Sequence, residues 1–117
     1  MEKFSISLPL TSEYLTTVRL TTGGLCSLAG FDLETAEDYK VCVTESLLIL
    51  KRNGFLRADI TFCVGETLAC AVRGVERAGE KEHSIEDEIS RALLSALLGK
   101  VAFTQKDGCV TEIAFEG

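Results

Sequence analysis

A chain of 117 residues, 46% hydrophobic, has the size of one domain and enough apolar material for a core. Charged residues make up 26%, which does not fit a disordered segment. The net charge of −6 argues against nucleic acid as the main partner, because phosphate binding needs clustered Lys and Arg.

Cys26, Cys42, Cys63, Cys70 and Cys109 are odd in number, and no two form a CxxC. They read as buried or half-buried thiols in a reducing cytosol, not as a disulfide framework or a zinc site. Glu2 and Lys3 lead straight into an alternating pattern, so no signal peptide is expected. No apolar run approaches the roughly 20 residues of a membrane helix. The expectation is a cytoplasmic protein without a membrane partner.

The first predicted element is a strand in which Phe4, Ile6 and Leu8 alternate with Lys3, Ser5 and Ser7. Pro9 ends it, since Pro cannot donate to a ladder. Thr11 or Ser12 offers an N-cap for a helix to about Leu28, with Leu15, Val18, Thr22, Leu25 and Ala29 on one face. Gly23-Gly24 inside it costs roughly 1 kcal/mol per Gly against Ala. Gly30 stops it. Asp32 caps a second helix, whose stripe is Ala36, Tyr39, Val43, Leu47 and Leu50, widened by Leu48 and Ile49, and Gly54 closes it.

Residues Arg57–Val64 and Thr67–Arg73 alternate as two strands, and Gly65-Glu66 suits a type II′ turn between them. Gly74 to His83 is polar and reads as a mobile loop, with His83 a surface histidine. Ser84 and Asp87 form a capping box before a third helix, whose apolar stripe is Ile85, Ile89, Ala92, Leu93, Ala96 and Leu97. Gly99 is its stop. Lys100–Gln105 and Cys109–Phe115 make a closing hairpin with the turn signal Asp107-Gly108. The order predicts one α+β domain over 1–117. It is a two-layer sandwich of about five mostly antiparallel strands with three helices on one face.

The segment E-D-Y-K-V-C-V-T-E, Glu37 to Glu45, resembles the first nucleotide-site helix of the GHKL ATPases (the Bergerat fold). It is most similar to that of the small anti-sigma-factor serine kinases. Glu37, Asp38, Lys40, Val41, Val43 and Glu45 stand in the motif's register. Leu8 to Leu20, Gly30-Phe31 and Leu93 to Ala114 are similar to the opening, middle and closing segments of that family. The resemblance implies a GHKL sandwich in which Glu45 polarises a nucleophile and an Asn four residues later holds Mg²⁺.

That Asn position is Ile49, which has no oxygen to offer a hard cation. Asn53 is one turn further along and would require the metal to shift by about 5.4 Å. The family's adenine-binding Asp would fall at Arg73, which has donors only. Its phosphate-cradling G-x-G would fall near Ser84–Ile89, which lacks Gly and carries Glu86, Asp87 and Glu88. The leading expectation is therefore an anti-sigma-factor-like regulator that binds a protein partner and has lost ATP, with no cofactor. The resemblance also implies a homodimer whose partner is a sigma factor or an anti-anti-sigma factor. By position it places partner contact at Glu13, Tyr14, Thr16 and Arg19. The alternative is an active ATP- and Mg²⁺-dependent serine/threonine kinase, with Glu45 as catalytic base and Asn53 as substitute cofactor ligand. A third reading is a small-ligand or chaperone-like domain with its cavity beneath Gly74–His83.

Overall fold

The computed structural model describes residues 2–79, 85–98 and 100–117. Among them the order is β1 (Glu2–Pro9), α1 (Ser12–Leu28), α2 (Leu33–Arg52), β2 (Phe55–Val64), β3 (Leu68–Arg77), α3 (Ile85–Leu98), β4 (Val101–Lys106) and β5 (Cys109–Glu116). The strands form one sheet in the order β1-β2-β3-β5-β4, and every neighbouring pair is antiparallel. Three helices are laid on one face, an α+β sandwich as the element order predicts.

The core is the seam between α2 and the middle strands. Ala58, Ile60 and Phe62 of β2, Cys70 and Val72 of β3, and Ile113 and Phe115 of β5 face Tyr39, Val43, Leu47 and Leu50 of α2. Burying each large side chain stabilises the fold by about 1.5–3 kcal/mol. Tyr39 bridges the layers. Its hydroxyl donates to the Leu68 carbonyl at 2.8 Å, and its ring meets Phe31 and Phe115 edge-on. Burial pushes the Tyr39 hydroxyl and the Cys70 thiol far above their ordinary pKa, and the Cys42 thiol up to about 12. Cys26, Cys42, Cys70 and Cys109 are buried free thiols and Cys63 is half-buried.

Local chemistry sets the element ends. Asp32 caps α2 by accepting from the Thr35 amide at 2.8 Å. Thr11 caps α1 without using its hydroxyl, which departs from the expected side-chain cap. Asp107 and Gly108 both take positive φ, as a tight hairpin between right-twisting strands demands. Gly54 takes φ +92, and its carbonyl accepts from Ala78 and Gly79. A side chain there would run into the Gly79 backbone.

Three expectations are corrected. The β2–β3 connection is a three-residue turn, Gly65-Glu66-Thr67, closed by Gly65 N–H to Thr67 carbonyl at 3.0 Å. Gly65 does not adopt the positive φ that a type II′ turn requires. Residues Gly74–Arg77 are strand, not loop, because they complete the ladder Arg57↔Val75 and Phe55↔Arg77. Third, α3 turns Ile85, Ile89, Ala92 and Ala96 of its predicted apolar stripe outward, while Leu93 and Leu97 are half-buried. Ser90 and Leu94 are buried, whereas Ile85 and Ile89 are 71% and 60% exposed. The Ser84 half of the capping box, His83 and the Gly99 stop lie outside the described residues.

Candidate functional site

Helix α2 and its C-cap contribute three positions one turn apart: Glu45, Ile49 and Asn53. Their fates differ with depth. Glu45 is half-buried at the α2–α3 seam, and its carboxylate accepts a 2.6 Å hydrogen bond from the Ser90 hydroxyl of α3. Ser90 Oγ in turn accepts from Arg52 at 3.0 Å. Arg52 lies 3.5 Å from Asp87 and 3.8 Å from Glu86. Asp87 is also 3.5 Å from Arg91, whose guanidinium stacks over the Phe103 ring at 5.0 Å. The front of the seam is thus a polar relay, Glu45–Ser90–Arg52–Asp87–Arg91. A short bond between a hydroxyl and a carboxylate in a half-buried site is stronger than one between neutral groups.

Ile49 is 0% exposed and belongs to the core. Asn53 is 1% exposed, and both ends of its amide are used. Its Nδ2 donates to the Ile49 carbonyl at 2.8 Å, and its Oδ1 accepts from the Val110 amide at 3.0 Å. Its own carbonyl accepts from Arg77 Nε at 2.9 Å. Asn53 is therefore the stitch that ties the end of α2 to β5 and β3.

Arg73 lies on the face of the sheet away from the helices. It donates to Asp59 at 2.9 Å, and Asp59 also accepts from Ser7 at 2.6 Å. The three residues are cross-strand neighbours on β1, β2 and β3. These two donors hold the Asp59 carboxyl below its ordinary pKa. The GHKL resemblance sets Arg73 against an adenine-binding Asp. Strand alternation fixes its side: Val72 points to the helices, so Arg73 points away. On the helix side, the Phe55 ring packs onto Gly74, where any side chain would overlap it. This ring takes space that the small-ligand reading would leave open beneath Gly74.

Helix α1 exposes Glu13, Tyr14, Thr16 and Arg19. Arg19 lines a groove of about 430 Å³ between α1 and α2 with Leu20, Gly23, Phe31, Leu33, Ala36 and Lys40, whereas Glu13, Tyr14 and Thr16 lie outside it. Lys40 pairs with Glu37 at 2.6 Å, which with a smaller contribution from Arg19 holds the Glu37 carboxyl below its usual range. Leu20 and Leu33 are 75% and 79% exposed at the groove's rim. Sequence reading missed these leucines, and it also missed Ser90 and Arg52. The available signal was Asp87 and Ser90, polar residues one turn apart and facing away from the stripe of α3.

No family model matches the chain. Part of it is similar to a serine-protein kinase. The protein named serine-protein kinase RsbW of Listeria monocytogenes serotype 4a is 34% identical over 58 residues, which is 50% of this chain and 37% of the relative. Those of L. monocytogenes serovar 1/2a and Listeria innocua serovar 6a are 35% identical over 54 residues, 46% of this chain and 34% of each relative. The matched stretch covers little more than a third of these relatives. No described helix is long and apolar enough to cross a membrane.

Proposed function

We propose that this chain is a cytoplasmic anti-sigma-factor-like regulator that holds a protein partner and has lost the ability to bind ATP. The observation that carries the second half is Ile49. Four residues after Glu45, where the GHKL resemblance calls for a magnesium ligand, α2 presents a side chain with no exposed surface and no oxygen. Mg²⁺ takes oxygen ligands in near-ideal octahedral geometry. The residues here do not fit that ion, and no chemical step is assigned to it. Glu45 is held by Ser90 and lies in a relay that serves packing of α3 on α2. The likeness of half the chain to a serine-protein kinase supports the ancestry of the fold.

The partner reading places contact on α1, around Arg19 with Glu13, Tyr14 and Thr16. A sigma factor or an anti-anti-sigma factor is the partner class, and a homodimer is the assembly. It is supported by the exposure of all four residues and by the groove of mixed polarity beside Arg19, rimmed by the exposed Leu20 and Leu33. Arg with neighbouring apolar surface is a common interface anchor.

One observation favours the rival, an active serine/threonine kinase: the similar Listeria proteins are named serine-protein kinases. It would need Glu45 as base, and it would need Asn53 to abandon the Ile49 carbonyl and the Val110 amide to reach a cation. Isothermal titration with Mg·ATP decides between them. The proposal expects no saturable heat; micromolar binding overturns it. For the partner half, affinity purification from the native cell should recover a sigma factor or its antagonist with the wild-type chain and lose it with Arg19→Glu.

A further inference from the structure

Helix α3 is apolar on two opposite sides. Leu94 is fully buried, with Leu97 and Leu98 half-buried beside it. Ile85, Ile89, Ala92 and Ala96 follow at i, i+4, i+7 and i+11, and all four are exposed. Their stripe runs about 16 Å along the helix at 1.5 Å per residue. A helix docked only by hydrophobic burial would turn two isoleucines inward. The seam with α2 is instead held by Ser90 and Asp87, which orients the helix and leaves the isoleucines outside. Contiguous exposed apolar surface, unlike scattered single residues, is a feature of interaction sites.

We infer that this outer stripe of α3 docks an amphipathic helix of another protein whose apolar face is flanked by Lys and Arg. Charge selects that occupant. The stripe is bordered by exposed Glu86 and Glu88. Arg91 is drawn away to Asp87 and Phe103, and the last turn of α3 has no basic residue. The rim is therefore acidic at one end and neutral at the other. A second copy of α3 would supply no cation in either orientation: parallel packing sets carboxylates against carboxylates, and antiparallel packing sets them against an uncharged turn. A lipid surface fits no better, because interfacial helices use Lys and Arg toward anionic headgroups. A helix lying in register with the stripe places apolar residues at i, i+3, i+4 and i+7 on the isoleucines and cations on Glu86 and Glu88. Helix α1 packs on α2, and α2 packs on α3, so this surface is separate from the one around Arg19. Because Ile85–Ile89 overlaps the position of the family's phosphate cradle, this docking rests on the proposed loss of ATP binding.

The experiment titrates the isotope-labelled full chain with two synthetic helices of about 18 residues, long enough to span the stripe. Both carry the same leucine stripe; one is flanked by Lys and the other by Glu. The Lys-flanked peptide should produce saturable amide shifts along Ile85–Ala96 and bind at least about tenfold more tightly than the Glu-flanked one. Ile85→Ser with Ile89→Ser should weaken it about tenfold or more at an unchanged melting temperature. Ala92→Glu, which adds a side chain only on the open surface, should do the same and covers the case in which the double variant does not fold. Glu88→Lys should move the preference toward the Glu-flanked peptide. Equal binding of both peptides, or shifts confined to the α1–α2 groove, would overturn the inference. So would self-association in sedimentation that Ile89→Ser abolishes, or adsorption to anionic vesicles instead of the peptide.

Discussion

Helices α2 and α3 carry comparable apolar periodicity and spend it in opposite ways. In α2 the predicted stripe goes inward: Tyr39, Val43, Leu47 and Leu50 are buried against the sheet, and its polar residues are bonded to backbone or set at the edge. In α3 the isoleucine side of the predicted stripe goes outward, and the inward face begins with Asp87 and Ser90 before reaching Leu94 and the half-buried Leu97. The difference comes from what each helix meets. Helix α2 lies over the middle of the sheet, where only apolar surface and the Tyr39 hydroxyl are accommodated. Helix α3 meets the exposed end of α2, where Arg52 and Glu45 require polar partners. An uncompensated charge or polar group there would cost more than leaving two isoleucines in water.

The sharpest way to break this contrast is Ile49→Asn, which restores the residue that the GHKL motif expects. It places an amide in a site with no exposure and should destabilise the fold by about 3 kcal/mol or more in urea melts. A stable variant that binds Mg·ATP would mean that the site is open and that α2 is not packed as described. Next, Leu94→Ala should cost about 3 kcal/mol, because Leu94 is the buried apolar anchor of α3. Asn53→Ala should cost about 2 kcal/mol, since it leaves the Val110 amide and the Ile49 carbonyl without their side-chain partner.

A milder effect should come with alkali. The Cys42 thiol has an ordinary pKa of 9.0 and rises to about 12 in the folded chain, so above pH 9 the unfolded chain releases its proton first. Cys70 and Tyr39 are raised for the same reason. Stability should be flat up to about pH 9 and fall from there toward pH 12, read as the urea midpoint against pH. Cys42→Ala should make that fall shallower. The smallest change is the other half of the Leu94 pair: Ile89→Ser should alter stability by no more than about 0.5 kcal/mol. A large loss at Ile89 would reverse the assignment of the two faces of α3.

Much of the frame was legible in the chain because it is written in local chemistry. Alternation in Ile60, Phe62, Val72 and Ile113 marks strands with one buried face, and the cap at Asp32 and the turn at Asp107-Gly108 stand where their residue types put them. The extent of β3 was not legible. Gly74 reads as a loop residue, yet it is glycine because the Phe55 ring lies against it, a contact between positions distant in sequence. The side of the sheet that Arg73 occupies was legible from the alternation with buried Val72, although motif spacing alone does not carry it. For the site, Glu45 and Ile49 were visible as residues. Ser90 and Arg52 were not, because nothing in either helix alone says that their side chains meet.

The sequence by itself determined the number, type and order of the described elements, because periodicity, caps and turn residues act over a few positions. Only the tertiary structure decided which face of α3 is inside, what holds Glu45, and that Asn53 is a stitch between α2 and β5. Those outcomes depend on which polar groups lie opposite one another once the layers close, and a buried polar group takes whichever partner packing brings within hydrogen-bond reach.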